Sequence, residues 1–229
     1  MNKVLRMNLR DRDILQSTPL LAGLSLTLVK RILDGVTISG SEARDILFRE
    51  GTTADCFYTV LSGYVRLYRV GQDGKEADTG VFGPGEVFGQ CAMFLNDRHT
   101  FNAQAAEPVT LARFDYAKVR QVMREEPELT LALMNIMARH LNEARVNVAN
   151  DRLHTAPQRV ANYLLELSDN NGNGASSSFR LPFQKSLLAG KLGLAPEALS
   201  RAFSLLKNSG VSIRGRMIHI SDAEALRKI

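Results

Sequence analysis

Tryptophan is absent from this chain, and its 229 residues hold only two cysteines, Cys56 and Cys91. Thiols so few and so far apart exclude a disulfide scaffold. They also exclude an iron–sulfur cluster held by four cysteines. No apolar run approaches the roughly 18 residues that a membrane helix requires, so no membrane partner is expected. The opening residues, Met1 to Asn8, lack the apolar core of a secretory signal. A cytoplasmic protein with two buried thiols is the reading that remains. The four histidines are scattered, and no Ser/His/Asp triad, phosphate-loop lysine or metal-spaced histidine cluster appears. These absences argue against an enzyme.

What the chain does have is a lopsided charge. Residues 1–154 carry 19 basic and 19 acidic side chains, whereas residues 155–229 carry 10 and 5. The whole net charge of +5 therefore sits in the last third. Between Arg180 and Arg216 there are seven basic residues and a single acid, Glu197. A compact basic module of this kind is the electrostatic footprint of double-stranded DNA binding.

The stretch 181–210 inside that module reads as two short helices joined by a tight turn. Leu187, Leu188 and Leu192 give the first helix an inward stripe, and Gly193 can take the positive φ that ends a helix at little cost. Pro196 suits the first turn of the second helix, where its missing N–H has no partner to lose. Leu199, Phe203 and Leu206 recur at helical spacing, which leaves Glu197, Ser200 and Arg201 on the opposite face near the N-terminus. This is the layout of a helix-turn-helix, whose second helix offers its first turns to base edges. Residues 210–220 follow as a hairpin with Gly215 at its turn, making the module winged. Lys185, Lys191, Lys207, Arg214 and Arg216 complete the expected DNA-contact set, the wing arginines falling where phosphates would be.

The rest of the chain divides into a sensor-like domain over 1–127, a long helix over 128–153 and the DNA-binding domain over 154–229. Two short helices are predicted within 9–34, broken near Thr18-Pro19. From Thr37 to Asp115 short strands alternate with glycine turns, of which 45–48, 57–61, 64–70, 77–82 and 109–114 are clearest. Many short strands at even spacing predict a β-barrel or jelly roll, so the fold class is α+β. Residues 83–89, with three glycines and a proline, read as a loop rather than a strand, leading to a helical turn at 91–94. A helix over 116–126 precedes the long run from Glu128 to Asp151, which would span ~36 Å. Met134, Met137, Leu141, Ala144 and Val148 form a heptad-like seam along it, while Leu129, Leu133 and Ile136 supply a second apolar face. One face can serve the barrel and the other a second copy, which predicts a homodimer. Thr155 and Gln158 have capping-box spacing and open a helix to about Ser168. The polar, glycine-rich stretch 169–178 is expected as a surface loop.

Small β-barrel, long dimer helix and winged helix-turn-helix, in that order, resemble the CRP/FNR superfamily of bacterial transcription regulators. The most specific pieces are Gly85-Glu-Val-Phe-Gly89, the turn 188–194 and Glu197-Ala-Leu-Ser-Arg201. The stretch 183–201 and Ala92-Met-Phe94 are most similar to the DNR/NnrR branch. That resemblance implies nitric-oxide sensing, through haem, and control of denitrification and nitrogen-oxide defence genes. It also implies RNA polymerase as a partner and TTGAT-N4-ATCAA-like palindromes as targets, read with two recognition helices about 34 Å apart. Chemistry agrees: Arg201 can donate twice to guanine, Glu197 can accept from cytosine and Ser200 can contact a thymine or its neighbour.

The resemblance places an effector pocket at Gly89, Gln90, Cys91, Met93, Arg98, His99 and Thr100. Cyclic-nucleotide members hold the ribose with a glutamate and the phosphate with an Arg-Ser pair. Those positions read Gln90 and His99-Thr100 here, with Arg98 one residue away. A cyclic phosphate needs a fixed cation or backbone N–H groups, so cyclic AMP is disfavoured and a cyclic-nucleotide-responsive regulator is the alternative. Haem would need an axial His, Cys or Met. His99 and His140 are the candidates, ahead of Cys91 and Met93, although a lone histidine is more often structural.

Overall fold

The computed structural model describes residues 3–170 and 176–229. Within them the chain divides into two compact units, residues 1–143 and 144–229, and the division falls inside the long helix.

The first unit begins with a short strand, β1 (Lys3–Leu5), and two helices, α1 (Leu9–Ser17) and α2 (Leu26–Leu33). Asn8 caps α1 with a reciprocal capping box to Asp11, and Ser25 caps α2. Eight strands follow: β2 (Val36–Ser41), β3 (Ile46–Phe48), β4 (Cys56–Ser62), β5 (Val65–Val70), β6 (Glu76–Phe82), β7 (Val87–Phe88), β8 (Asn102–Ala105) and β9 (Val109–Asp115). They make two sheets, one ordered β1-β2-β9-β4-β7 and the other β3-β8-β5-β6. The result is an open jelly-roll sandwich and not a closed barrel.

Strand β4 shows how the sequence dictates this. Its run Cys-Phe-Tyr-Thr-Val-Leu is buried throughout, because both its faces are covered. Cys56, Tyr58 and Val60 point into the space between the sheets, with Phe88, Leu111 and the small Ala103 and Ala105. Phe57 and Leu61 point the other way, into a core shared with the helices. Two expectations need correction. Val87 and Phe88, expected within a loop, pair with Tyr58 and Thr59 of β4 for two residues. Cys91, expected buried, is exposed, while Cys56 is buried.

Helix α3 (Tyr116–Glu125) precedes α4 (Pro127–Leu153). Leu129, Leu133 and Ile136 are buried in the helix-lined core. The seam positions Met134, Leu141 and Val148 are 59%, 55% and 50% exposed; Ala144 is exposed and Met137 half-buried.

The second unit holds α5 (Ala156–Asn170), β10 (Ser177–Arg180), α6 (Lys185–Lys191), α7 (Pro196–Leu206), β11 (Val211–Arg214), β12 (Met217–Ile220) and α8 (Ala223–Arg227). Residues 171–175 of the expected surface loop lie outside the described residues; on its flanks α5 and β10 take up part of that stretch. Gln158 accepts from both the backbone N–H and the hydroxyl of Thr155, at 2.8 and 3.0 Å. The wing is a three-stranded sheet, β10-β12-β11, one strand more than the hairpin expected.

Gly63 closes the turn from β4 to β5 at φ +75°, and a Cβ there would lie 2.3 Å from the Pro108 carbonyl oxygen. Gly74 has the same backbone sign, φ +77°, with nothing within 4 Å. Gly63→Ala is expected to cost more than the roughly 1–3 kcal/mol of a left-handed alanine alone, and Gly74→Ala to stay within it. Urea unfolding of the two variants checks this.

Candidate nucleic-acid interface and effector pocket

The reading helix is α7. Pro196 starts it and Leu199, Ala202, Phe203 and Leu206 bury its inner face. Glu197, Ser200 and Arg201 are left exposed on its outer face. Among the described residues Arg201 has no ion-pair partner, and the pair with Glu197 that its spacing allows is not made. The turn before α7 is built as its residues require. Gly193 has φ +58°, and the Leu194 N–H donates to the Ala189 carbonyl at 2.9 Å.

The basic residues divide into two groups. Lys191, Lys207 and Arg214 are exposed, as phosphate contacts must be. Lys185 is exposed too, its Nζ lying 5.7 Å from the Phe203 ring centre, so part of its orientation is set by a cation–π contact. Arg216 differs. Its Nε donates to the Leu181 carbonyl at 2.9 Å and its Nη2 to the Pro182 carbonyl, and the Leu181 N–H donates back to the Arg216 carbonyl at 2.8 Å. This guanidinium ties the wing to the chain entering α6. Arg180, outside the expected contact set, is exposed as well. Met217 lies between Arg180 and Arg214 in register across the sheet, so the two arginines share one face. The strand β10 had no hairpin partner in the sequence to reveal it.

The expected effector residues also separate. Gln90, Met93 and His99 are buried, Gly89 is half-buried, and Cys91, Arg98 and Thr100 are exposed. Arg98 donates to the Gly51 carbonyl at 2.7 Å on the surface. Inside the sandwich a row of rings packs together. His99 lies flat on Phe48 at 3.7 Å between centres, Phe48 neighbours Phe88 at 6.2 Å, and Phe88 neighbours Phe82 at 5.7 Å. His140 of α4 meets Phe82 edge-on at 5.8 Å. The Gln90 amide nitrogen is 3.1 Å from His140 Nδ1, so this buried amide is spent on the long helix. Tyr116 donates to the Gly89 carbonyl at 2.7 Å and fixes the start of the same turn.

The two candidate haem ligands thus stand at opposite ends of one ring row. Their chemistry suits iron: burial holds both imidazoles below the usual histidine range, and the neutral form is the one that binds a metal. Their geometry suits it less. The Gln90 amide occupies His140 Nδ1, so that nitrogen is open to a metal only if the amide moves away.

Two family models match the chain: a cyclic nucleotide-binding domain over residues 41–126 and a Crp-like helix-turn-helix domain over residues 158–229. The chain is 30% identical to the transcriptional activator protein Anr of Pseudomonas protegens, over 89% of this chain and 86% of that one. It is 32% identical to the nitrogen fixation regulation protein FixK of Bradyrhizobium diazoefficiens, over 72% and 70%. The crystal structure of the Thermus thermophilus catabolite activator protein superposes with a TM-score of 0.53 at 26% identity, covering 92% of this chain and 97% of that one. A sandwich of cyclic-nucleotide-binding type, a long helix and a winged helix-turn-helix define a transcription regulator. The chain belongs to the CRP/FNR family. No described helix is long and apolar enough to cross a membrane.

Two outcomes follow from the geometry. Arg214→Ala is expected to weaken binding to any DNA and flatten its salt dependence by about one phosphate contact. Arg216→Ala is expected to leave that slope unchanged and to lower the melting temperature, as a salt titration beside a thermal scan will read. For pH, the unfolded chain binds protons on His99 and His140 near 6.5, which the folded chain resists. Stability contributed by the neutral rings is therefore present above that value and is lost as pH falls below it. Asp55 opposes the shift at His99, and Glu143 and Glu86 oppose it at His140. The melting temperature is expected to drop between about pH 7 and pH 5, and the drop to shrink in His99→Phe.

Proposed function

We propose that this protein is a homodimeric, sequence-specific DNA-binding regulator that reads TTGAT-N4-ATCAA-like palindromes with Glu197, Ser200 and Arg201. The observation that carries the reading is the two-sided α7. Its inner face is buried, and its outer face presents an exposed arginine, a hydroxyl and a carboxylate close together. Arg201 donates to guanine O6 and N7, Glu197 accepts from cytosine N4, and Ser200 contacts the neighbouring thymine. The exposed stripe Met134, Met137, Leu141, Ala144 and Val148 supports pairing along α4, since apolar side chains half in water gain by burial against a second copy. RNA polymerase is the protein partner such a regulator works through.

The effector reading is nitric oxide sensed through haem, acting on nitrogen-oxide and denitrification genes. What supports it is the ring-lined interior of the sandwich with a neutral imidazole at each end. His99 or His140 would hold the group, which when bound supplies an iron that takes up the gas. The residues of the chain supply an apolar wall and, through Gln90, a connection to α4. A ligand can move the dimer toward its DNA-binding arrangement only by binding the two arrangements unequally.

Gel shifts and footprints on the palindrome test the DNA reading. Wild type is expected to bind it as a dimer. Arg201→Ala is expected to lose roughly 1–3 kcal/mol of discrimination at one base pair per half-site. A footprint of Arg201→Ala with unchanged base preference would sink the assignment. For the effector, an absorption spectrum of haem-loaded protein before and after nitric oxide is the measurement. Absence of any Soret shift in both His99→Ala and wild type alike would remove haem from the reading.

A further inference from the structure

At the junction between α4 and α5, an ion pair sits under the helix-turn-helix. The Arg159 guanidinium pairs with the Asp151 carboxylate. Arg159 comes from the first turn of α5, Asp151 from the last turn of α4. The Arg159 side chain is only 14% exposed, whereas that of Asp151 is 50% exposed. Above them lies Gly193, the left-handed residue of the turn between α6 and α7. A Cβ built on Gly193 would lie 3.1 Å from the guanidinium and 3.9 Å from the carboxylate. The turn that sets the angle of α7 therefore rests on this pair with no side chain between them.

The position of Asp151 gives the contact a direction. It follows Met137 and Ala144 at intervals of seven, so it continues the apolar stripe of α4 by one step. The last position of the pairing stripe is thus a carboxylate held by an arginine that also supports the reading head. A guanidinium this enclosed needs its counter-charge, because a lone buried cation is costly.

We propose that Arg159 is a positioning residue for DNA recognition: with Asp151 it fixes the turn 189–194 against the end of the dimer helix and so sets how α7 is presented. The proposal rests on the dimeric DNA-binding reading above, but its first test does not. Hydrogen exchange in the free full-length chain reads the turn directly. Arg159→Ala is expected to speed exchange of the Gly193 and Leu194 amides about tenfold while the wing sheet keeps its protection. Asp151→Asn, which removes the exposed partner with little change of shape, is expected to do the same to a smaller extent. Arg159→Lys keeps the charge and should recover part of the protection. The exchange of charges, Asp151→Arg with Arg159→Asp, should recover more than either single change. On DNA, Arg159→Ala is expected to lose about tenfold in affinity for the palindrome, which is about 1.4 kcal/mol. It is also expected to discriminate less against palindromes whose half-sites are moved apart by one base pair, with Arg201's base preference intact.

Unchanged exchange at 193–194 in both single variants overturns the proposal. So does an increase spread evenly over α5 and the wing, which marks general loosening, or a charge exchange that recovers nothing. If wild type binds no palindrome at all, the DNA reading fails while the exchange data still decide whether Arg159 holds the turn.

Discussion

Burial of one face of α7 is the constraint from which the rest follows. Leu199, Ala202, Phe203 and Leu206 must be covered, and α5 and α6 cover them. Because 3.6 residues make a turn, fixing that face inward fixes Glu197, Ser200 and Arg201 outward. Among the described residues their side chains make no ion pair, which leaves their charged and polar groups for a ligand. The same geometry rules out rotation of the helix by even one residue, since that would bury the arginine and expose a leucine.

Helix α4 meets a similar demand twice. Leu129, Leu133 and Ile136 dock it on the sandwich, and His140 extends that contact through the Gln90 amide. Its stripe from Met134 to Val148 remains in water. A helix bound on one side and apolar on another presents its second face for burial. The interior is lined by the rings of Phe48, Tyr58, Phe82 and Phe88, which pack on one another.

Much of this was legible in residue types and spacing. The faces of α4 and α7, the left-handed Gly193 and the hairpin around Gly215 each follow from a local rule, so sequence alone placed them. The β-sandwich was legible as a class but not strand by strand. β8 reads Asn-Ala-Gln-Ala and has no β-branched residue; it is a strand because β3 and β5 pair on either side and leave room only for alanine. Val87 and Phe88 were hidden among glycines, and β4 recruits them. Arg214 and Arg216 look equivalent around Gly215. What separates them is the pair of carbonyls at Leu181 and Pro182, more than thirty residues away in the chain, which no local pattern announces. Cys91 was misplaced for the same reason, since which side of the short helical turn Gln90–Phe94 faces the core is decided by its tertiary neighbours.

The first strand has a protective value out of proportion to its size. β1 is three residues long and pairs with β2 along the outer border of the five-stranded sheet. It covers Ile38, Ser39 and Gly40 of the six-residue strand β2. A molecule clipped after Leu5 would exchange a three-residue border for a six-residue one, and long free borders tend to join one another. A tag or cleavage site that perturbs Lys3 to Leu5 would thus promote self-association of the sensor unit without touching its interior, its pairing stripe or its reading helix.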